Sequence, residues 1–139
     1  MIVRPDINDL PSIVQLAKKC IVKATGTQAV ETQLEHFFKS AITNLSYFLE
    51  VLKEGDEVKG LVMASLQKQL YSEDVTCNVL YTYCEDGYED QLDEIFDNGM
   101  IWARENKVKQ IIFTEFDSET NSSVPTEFKK VGTIYGVEI

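Results

Sequence analysis

Apolar residues recur along this chain with two periods, and the switches between them predict the order of its elements. Ile2-Val3-Arg4-Pro5 reads as a short strand, confined to an edge or a terminus because Pro5 has no N–H for a ladder. Asn8 or Asp9 can cap the helix that follows, and Pro11 suits its first turn. Leu10, Ile13, Val14, Leu16, Ala17 and Cys20 then fall at helical spacing. Gly26 marks 22–28 as a loop, and a second helix over 29–43 carries Val30, Leu34, Phe37, Phe38, Ala41 and Ile42 on one face before Asn44 ends it.

The period then drops to two. Residues 47–52 read as a strand, 53–57 as a hairpin turn with Gly55 available for positive φ, and 58–66 as the returning strand. Gly60 inside that strand predicts a bulge or a close approach of another element. After a polar connection, 75–83 form the third meander strand, with Val75, Cys77, Val79 and Tyr81 on one face. A long helix over 88–106 places Leu92, Ile95, Phe96, Met100 and Ala103 along one stripe. The continuous apolar run Ile111-Ile112-Phe113 within 108–116 is that of a strand covered on both faces, and its strand–helix–strand relation to 75–83 implies a right-handed parallel crossover. A short helix over 124–131, with Pro125 in its first turn and Gly132 closing it, and a last strand over 134–139 complete the order.

Length and composition narrow the function. The 139 residues suit one domain, 1–139, and 44% hydrophobic residues suffice for a proper core. No apolar run approaches the ~20 residues of a membrane span, and no signal peptide is evident at the start. Cys20, Cys77 and Cys84 are odd in number and unpaired in spacing, which fits buried thiols in a reducing cytoplasm. A net charge of −10, with arginine only at positions 4 and 104, argues against nucleic acid. A charged partner would be a basic peptide, an amine or a basic protein face.

The strand–turn–helix at 78–92 bears most directly on chemistry. In a nucleotide- or coenzyme-binding protein such a turn is glycine-rich, and its bare N–H groups and the helix dipole cradle a pyrophosphate. Here it reads Gly87-Tyr88-Glu89-Asp90-Gln91-Leu92, with two carboxylates where an anion would dock. Backbone N–H groups of Gly87 and Tyr88 could still donate, but Tyr88 and Leu92 add bulk. Glu89 and Asp90 stabilise the helix start by ~0.3–1 kcal/mol each, standing in for a phosphate.

The order β-α-α-β-β-β-α-β-α-β resembles the GNAT N-acetyltransferase superfamily, and three local patterns add to it. Arg4-Pro5 followed by Asp9-Leu10-Pro11-x-Ile13-x-x-Leu16 looks like that family's first strand and helix. Leu80-Tyr81-Thr82 resembles the end of its fourth strand, and Asn121-x-x-Val124-x-x-x-Phe128-x-x-x-Gly132 its Asn-x-x-Ala-x-x-x-Tyr-x-x-x-Gly signature. The resemblance implies an α/β (α+β) fold: a mixed, mostly antiparallel central sheet flanked by about four helices. If acetyl-coenzyme A still binds, the resemblance places Tyr81, Thr82, Gly87, Tyr88 and Asn121 around it.

The departures imply that it does not. The family's coenzyme loop, Arg/Gln-x-x-Gly-x-Gly/Ala, falls on 87–92, where none of its defining residues stands. Its frequent catalytic tyrosine is Phe128, which has no proton to give a departing thiolate. No catalytic residue is therefore assigned. The expectation is a GNAT-like protein with an eroded coenzyme site, similar to small acetyltransferase-like proteins that include some from tailed phages, with no cofactor and a role in binding or assembly. Ending at Ile139 leaves the last hairpin incomplete by family standards, so a homodimer or partner protein could pair with the C-terminal sheet edge. The alternative is an active N-acetyltransferase that moves an acetyl group from acetyl-coenzyme A to a small amine or basic peptide.

Other candidates carry less. His36, the single histidine, reads as a surface residue, and no second histidine or paired cysteine supports a metal. Cys84 would need an activating base to be a nucleophile and reads as a semi-buried thiol. The acidic run Glu85, Asp86, Glu89, Asp90, Asp93, Glu94 and Asp97 is either a receptor for a basic partner or a solvated helix face. Glu50 and Glu115 are carboxylates on central strands without a specific match.

Overall fold

A computed structural model describes residues 1–68, 70–113 and 137. The expected helix over 124–131, the last strand with its C-terminal sheet edge, Asn121, Phe128 and Glu115 lie outside the described residues. Five strands form one sheet in the order β1-β2-β3-β4-β5: β1 (Ile2–Val3), β2 (Tyr47–Glu54), β3 (Glu57–Lys68), β4 (Val75–Cys84) and β5 (Gln110–Phe113). The first four are antiparallel in sequence order, and β5 runs parallel to β4 from Thr76 opposite Gln110 to Val79 opposite Phe113. Helices α1 (Leu10–Thr25) and α2 (Glu31–Thr43) cover one face, and α3 (Leu92–Glu105) covers the other.

Alternation along β2 explains why the sheet has two cores. Leu49 and Val51 join Ile13, Leu16 and Phe38 beneath α1 and α2, whereas Phe48 and Leu52 join Leu92 and Ile95 beneath α3. The predicted α3 stripe holds: Leu92, Ile95 and Ala103 are buried. Gly99 lies in that helix beside an apolar cavity of about 30 Å³ lined in part by Phe48, Trp102 and Ile111. A methyl group there would meet the Phe48 ring at 3.5 Å, an ordinary contact. Gly99→Ala should therefore raise stability by about 1 kcal/mol through helix propensity. Thermal unfolding should register this as a Tm higher by about 3 °C, and a fall in Tm would show that the neighbouring ring cannot accommodate the methyl.

Several local expectations need correction. The segment 22–28 is not all loop, because α1 runs on through Thr25 and ends at Gly26, whose φ of 71° supplies the left-handed C′ residue. Asp9 does stand at the N-cap of α1, but its side chain makes no bond to that helix; the capping bonds lie one turn earlier, around a 3-10 turn at Ile7–Asp9, where Asp6 accepts from the Asn8 N–H at 2.8 Å and Asp9 accepts from the Asp6 N–H at 2.9 Å. Val30 precedes α2 and is exposed rather than on its buried face. The helix expected from 88 begins as a 3-10 turn at Glu89–Gln91, and α3 proper starts at Leu92.

Both readings of Gly60 hold. Lys59 is an extra residue between the pairs Leu52–Gly60 and Lys53–Val58, and a side chain at Gly60 would press on Leu92 Cδ2 at 3.0 Å. A second bulge was not foreseen. Met63 pairs with Tyr81 and Ala64 with Val79, so Leu80 is extra in β4. Cys77 and Val79 accordingly face α3, while Tyr83 packs beneath α1 and α2, and Tyr81 stacks on Tyr83 at 5.5 Å. The expected face that grouped Tyr81 with Cys77 and Val79 is broken there, since one added residue reverses every side chain beyond it.

Candidate functional site

Strand β4, the turn after it and the start of α3 bring Tyr81, Thr82, Gly87 and Tyr88 into one continuous segment, but not onto one face. Tyr81 meets Phe37 of α2 edge-on, with ring centroids 5.6 Å apart at 90°. Thr82 pairs across the ladder with Val62, which belongs to the α3 core. Its hydroxyl oxygen is buried and has no hydrogen-bond partner among the described residues. Tyr83 follows Thr82 and packs beneath α1 and α2, and burial, then the charge of the neighbouring Tyr81, raises its phenol pKa well above the ordinary range. Its hydroxyl therefore stays protonated near neutrality and supplies no phenolate base.

The turn from 85 to 91 is held by bonds within itself and to its neighbours. Gly87 has a φ of 93°, a conformation that favours glycine. Its N–H, one of the two expected anion donors, instead donates to the Glu89 carboxylate at 2.9 Å. The Tyr88 N–H donates to the Glu85 carbonyl at 3.2 Å, and the Gln91 N–H to the Tyr88 carbonyl at 3.0 Å. The Tyr88 hydroxyl donates to the Glu54 carboxylate, which ties the turn to the end of β2. That bond, then burial, raises the Tyr88 pKa.

Lysines surround the same turn and are already paired. Lys19 of α1 reaches Glu85 at 2.9 Å, Lys59 reaches it at 3.3 Å and Glu57 at 2.6 Å, and Lys23 reaches Asp86 at 2.7 Å. Hydrogen bonding to Glu57 and Glu85 raises the Lys59 pKa strongly, and hydrogen bonding from Lys19 leads the lowering of the Glu85 pKa. Glu85 and Asp86 are thus the anions of a lysine cluster. The acidic run is not uniform, because its first two members pair with α1 and β3.

Cys84 closes β4 next to this turn. Burial, then the charge of Glu89, pushes its thiol up to about 12, so a thiolate nucleophile is not available near neutral pH. Burial also raises Cys77 to about 11. His36 is exposed on α2. Glu50 faces α3, where its carboxylate accepts from Asn98 Nδ2 at 2.8 Å. Among the described residues no group of three His, Cys, Asp or Glu could hold a metal, and no helix is long and apolar enough to cross a membrane.

The self-bonding of this turn was only half legible beforehand. Glu89 and Asp90 signalled the wrong charge for a phosphate cradle, but nothing local indicated that Glu89 would fold back onto the Gly87 N–H. The lysines were harder to find, since Lys19 and Lys23 are brought to the turn by α1 from 66 and 63 positions away, and Lys59 by β3 from 26.

No protein-family profile matches the chain, and no curated protein matches it in sequence. Solved structures do match in shape. A possible acetyltransferase from Clostridium difficile 630 aligns with a TM-score of 0.71 at 12% identity, covering 100% of this chain and 97% of that one. A transcriptional regulator from Bacillus halodurans C-125 aligns at 0.73 and 12% identity, covering 97% and 99%. A predicted acetyltransferase from Clostridium acetobutylicum, solved with acetyl-CoA, aligns at 0.68 and 12% identity, covering 83% and 80%. At such identities the likeness concerns architecture alone, and it agrees with the strand order and the parallel β4–β5 crossover: the chain has a GNAT-like, acetyltransferase-like fold.

Proposed function

We propose that this protein uses a GNAT-like fold for binding or assembly with a partner, and that its acetyl-coenzyme A site is eroded. The observation that carries this reading is the Gly87 N–H, which donates to the Glu89 carboxylate at 2.9 Å. A diphosphate at that place would meet a carboxylate instead of a free donor, and like charges in contact repel. The lysines able to offset this are paired with Glu85 and Asp86. The residues present do not fit the coenzyme's phosphates.

The second reading, an active N-acetyltransferase, draws on the buried and unpartnered Thr82 hydroxyl oxygen, which a bound ligand could satisfy. Titration calorimetry with acetyl-coenzyme A separates the two. Saturable heat at micromolar ligand, with a melting shift equivalent to about 2.7 kcal/mol at a hundredfold excess over Kd, would support the enzyme. Silence at millimolar ligand supports the binding protein. In that case Glu89→Gly combined with Asp90→Gly should strengthen coenzyme binding roughly tenfold by removing both charges. No gain in that double variant would count against the account of the turn.

A further inference from the structure

A second concave site lies between β2 and the C-terminal half of α3, across β3 from the turn just described. Asn98, Ile101, Trp102 and Glu105 recur at helical spacing and face Phe48 and Glu50 over a cleft of about 420 Å³. Small-molecule pockets span roughly 300–1,000 Å³. The cleft has an apolar wall and an acidic rim. Phe48 and Trp102 form the wall, with ring centroids 5.6 Å apart, and Ile101 beside them is 52% exposed.

Charge decides what suits it. Neither Glu50 nor Glu105 has an ion-pair partner among the described residues. Glu50 is half-buried and accepts one hydrogen bond, from Asn98. Arg4 also lines the cleft, but its guanidinium donates to the carbonyls of Ala41, Ile42, Asn44 and Tyr47 at 3.0–3.3 Å. Two carboxylates without an ion pair among the described residues therefore face one cation engaged elsewhere, on a chain of net charge −10. An anion would be repelled, and a cation drawn in. An alkyl stem would cover Ile101 and the aromatic wall while the charged head reached the carboxylates of the rim.

We propose that this cleft binds a small organic cation with a short apolar body, an alkylguanidinium or alkylammonium. Its charged head sits at Glu50 and Glu105 and its stem lies along Phe48, Ile101 and Trp102. The site shares no residue with the coenzyme turn, so it stands or falls independently of the reading given above.

Trp102 is the single tryptophan of the chain, so its emission reports on the cleft directly. Titrating the whole protein with n-butylguanidinium should change that emission saturably at low-millimolar concentration, whereas butanol and butyrate should give no saturation. Glu50→Gln keeps the oxygen that Asn98 needs and removes the charge; it should weaken binding at least about tenfold. Glu105→Gln, at an exposed position, should weaken it less, and urea unfolding of both variants checks that they fold. The proposal is overturned by an absent or unsaturable response, by an equal response to butanol, or by unchanged affinity in both variants. It is also overturned if Trp102 emission tracks protein concentration alone, which would assign the cleft to a second copy. Binding of an arginine-containing peptide more than about a hundredfold tighter than n-butylguanidinium would assign it to a protein partner instead.

Discussion

Phe38→Ala should lower the unfolding free energy by about 4 kcal/mol, read as a reduced midpoint in urea with an unchanged slope. Phe38 is 1% exposed and is the largest of the fully buried side chains among the described residues. It anchors α2 within the core shared by Ile13, Leu16, Leu49 and Leu61, and it meets the Phe37 ring edge-on at 5.3 Å. Alanine would remove the ring and leave a void between a helix and a sheet, neither of which can move far to fill it. Against a total of about 5–15 kcal/mol, such a loss is large. It should reach the candidate site as well, because Phe37 holds the Tyr81 ring from the same helix. A change below about 1 kcal/mol would mean that α2 does not dock as described.

Asp9→Asn should cost about 2 kcal/mol, and its cost should depend on pH. Asp9 is 7% exposed, receives the Asp6 N–H at 2.9 Å and pairs with Lys53 at 2.7 Å. Asparagine could keep the Asp6 bond but would leave the lysine charge without its counterion. The lower end of the usual range applies because the Lys53 side chain retains some contact with water. Burial alone would raise the Asp9 carboxyl pKa; the Lys53 hydrogen bond, the Asp6 N–H and the Lys53 charge outweigh it and hold the group below its ordinary 3.8. A depressed carboxyl contributes its stability above that ordinary value and loses it as pH falls through the folded value. Wild type and Asp9→Asn should therefore differ fully near neutrality and converge below pH 3.8, as followed by urea unfolding across acid pH. At the alkaline end the sign reverses. The Asp9 hydrogen bond raises the Lys53 pKa, so that contribution is complete below 10.5 and is lost as pH climbs beyond it. A constant difference from neutral to acid pH would show that the pair does not titrate as a unit.

What could be foreseen depended on how local its cause was. Helix stripes and strand alternation depend on the spacing of side chains, and α1, α2, β2, β3 and α3 appeared where that spacing placed them. Gly55 took the positive φ of 64° that its hairpin needed. The end of α1 was missed because Val22 and Thr25 look like loop residues unless Gly26 is recognised as a C′ stop. The Leu80 bulge left no composition signal, since leucine suits a regular strand equally well, and only pairing with Met63 and Ala64 reveals the extra residue. At the turn, charge was readable and connectivity was not. The β2–α3 cleft was hidden for a related reason: Asn98, Ile101, Trp102 and Glu105 sit beside the core stripe of α3, and periodicity draws attention to the stripe rather than to its flank.

The additional residue at Leu80 makes β4 two half-strands of opposite phase joined end to end. Before it, odd-numbered positions belong to the α3 side; after it, they belong to the other. Any alignment that carries an ungapped count through position 80 in comparison with an unbulged strand will match interior residues on one side with exterior ones on the next. Distant kinship in this architecture is then better judged by anchoring each half-strand separately, from Cys77 forward and from Cys84 backward.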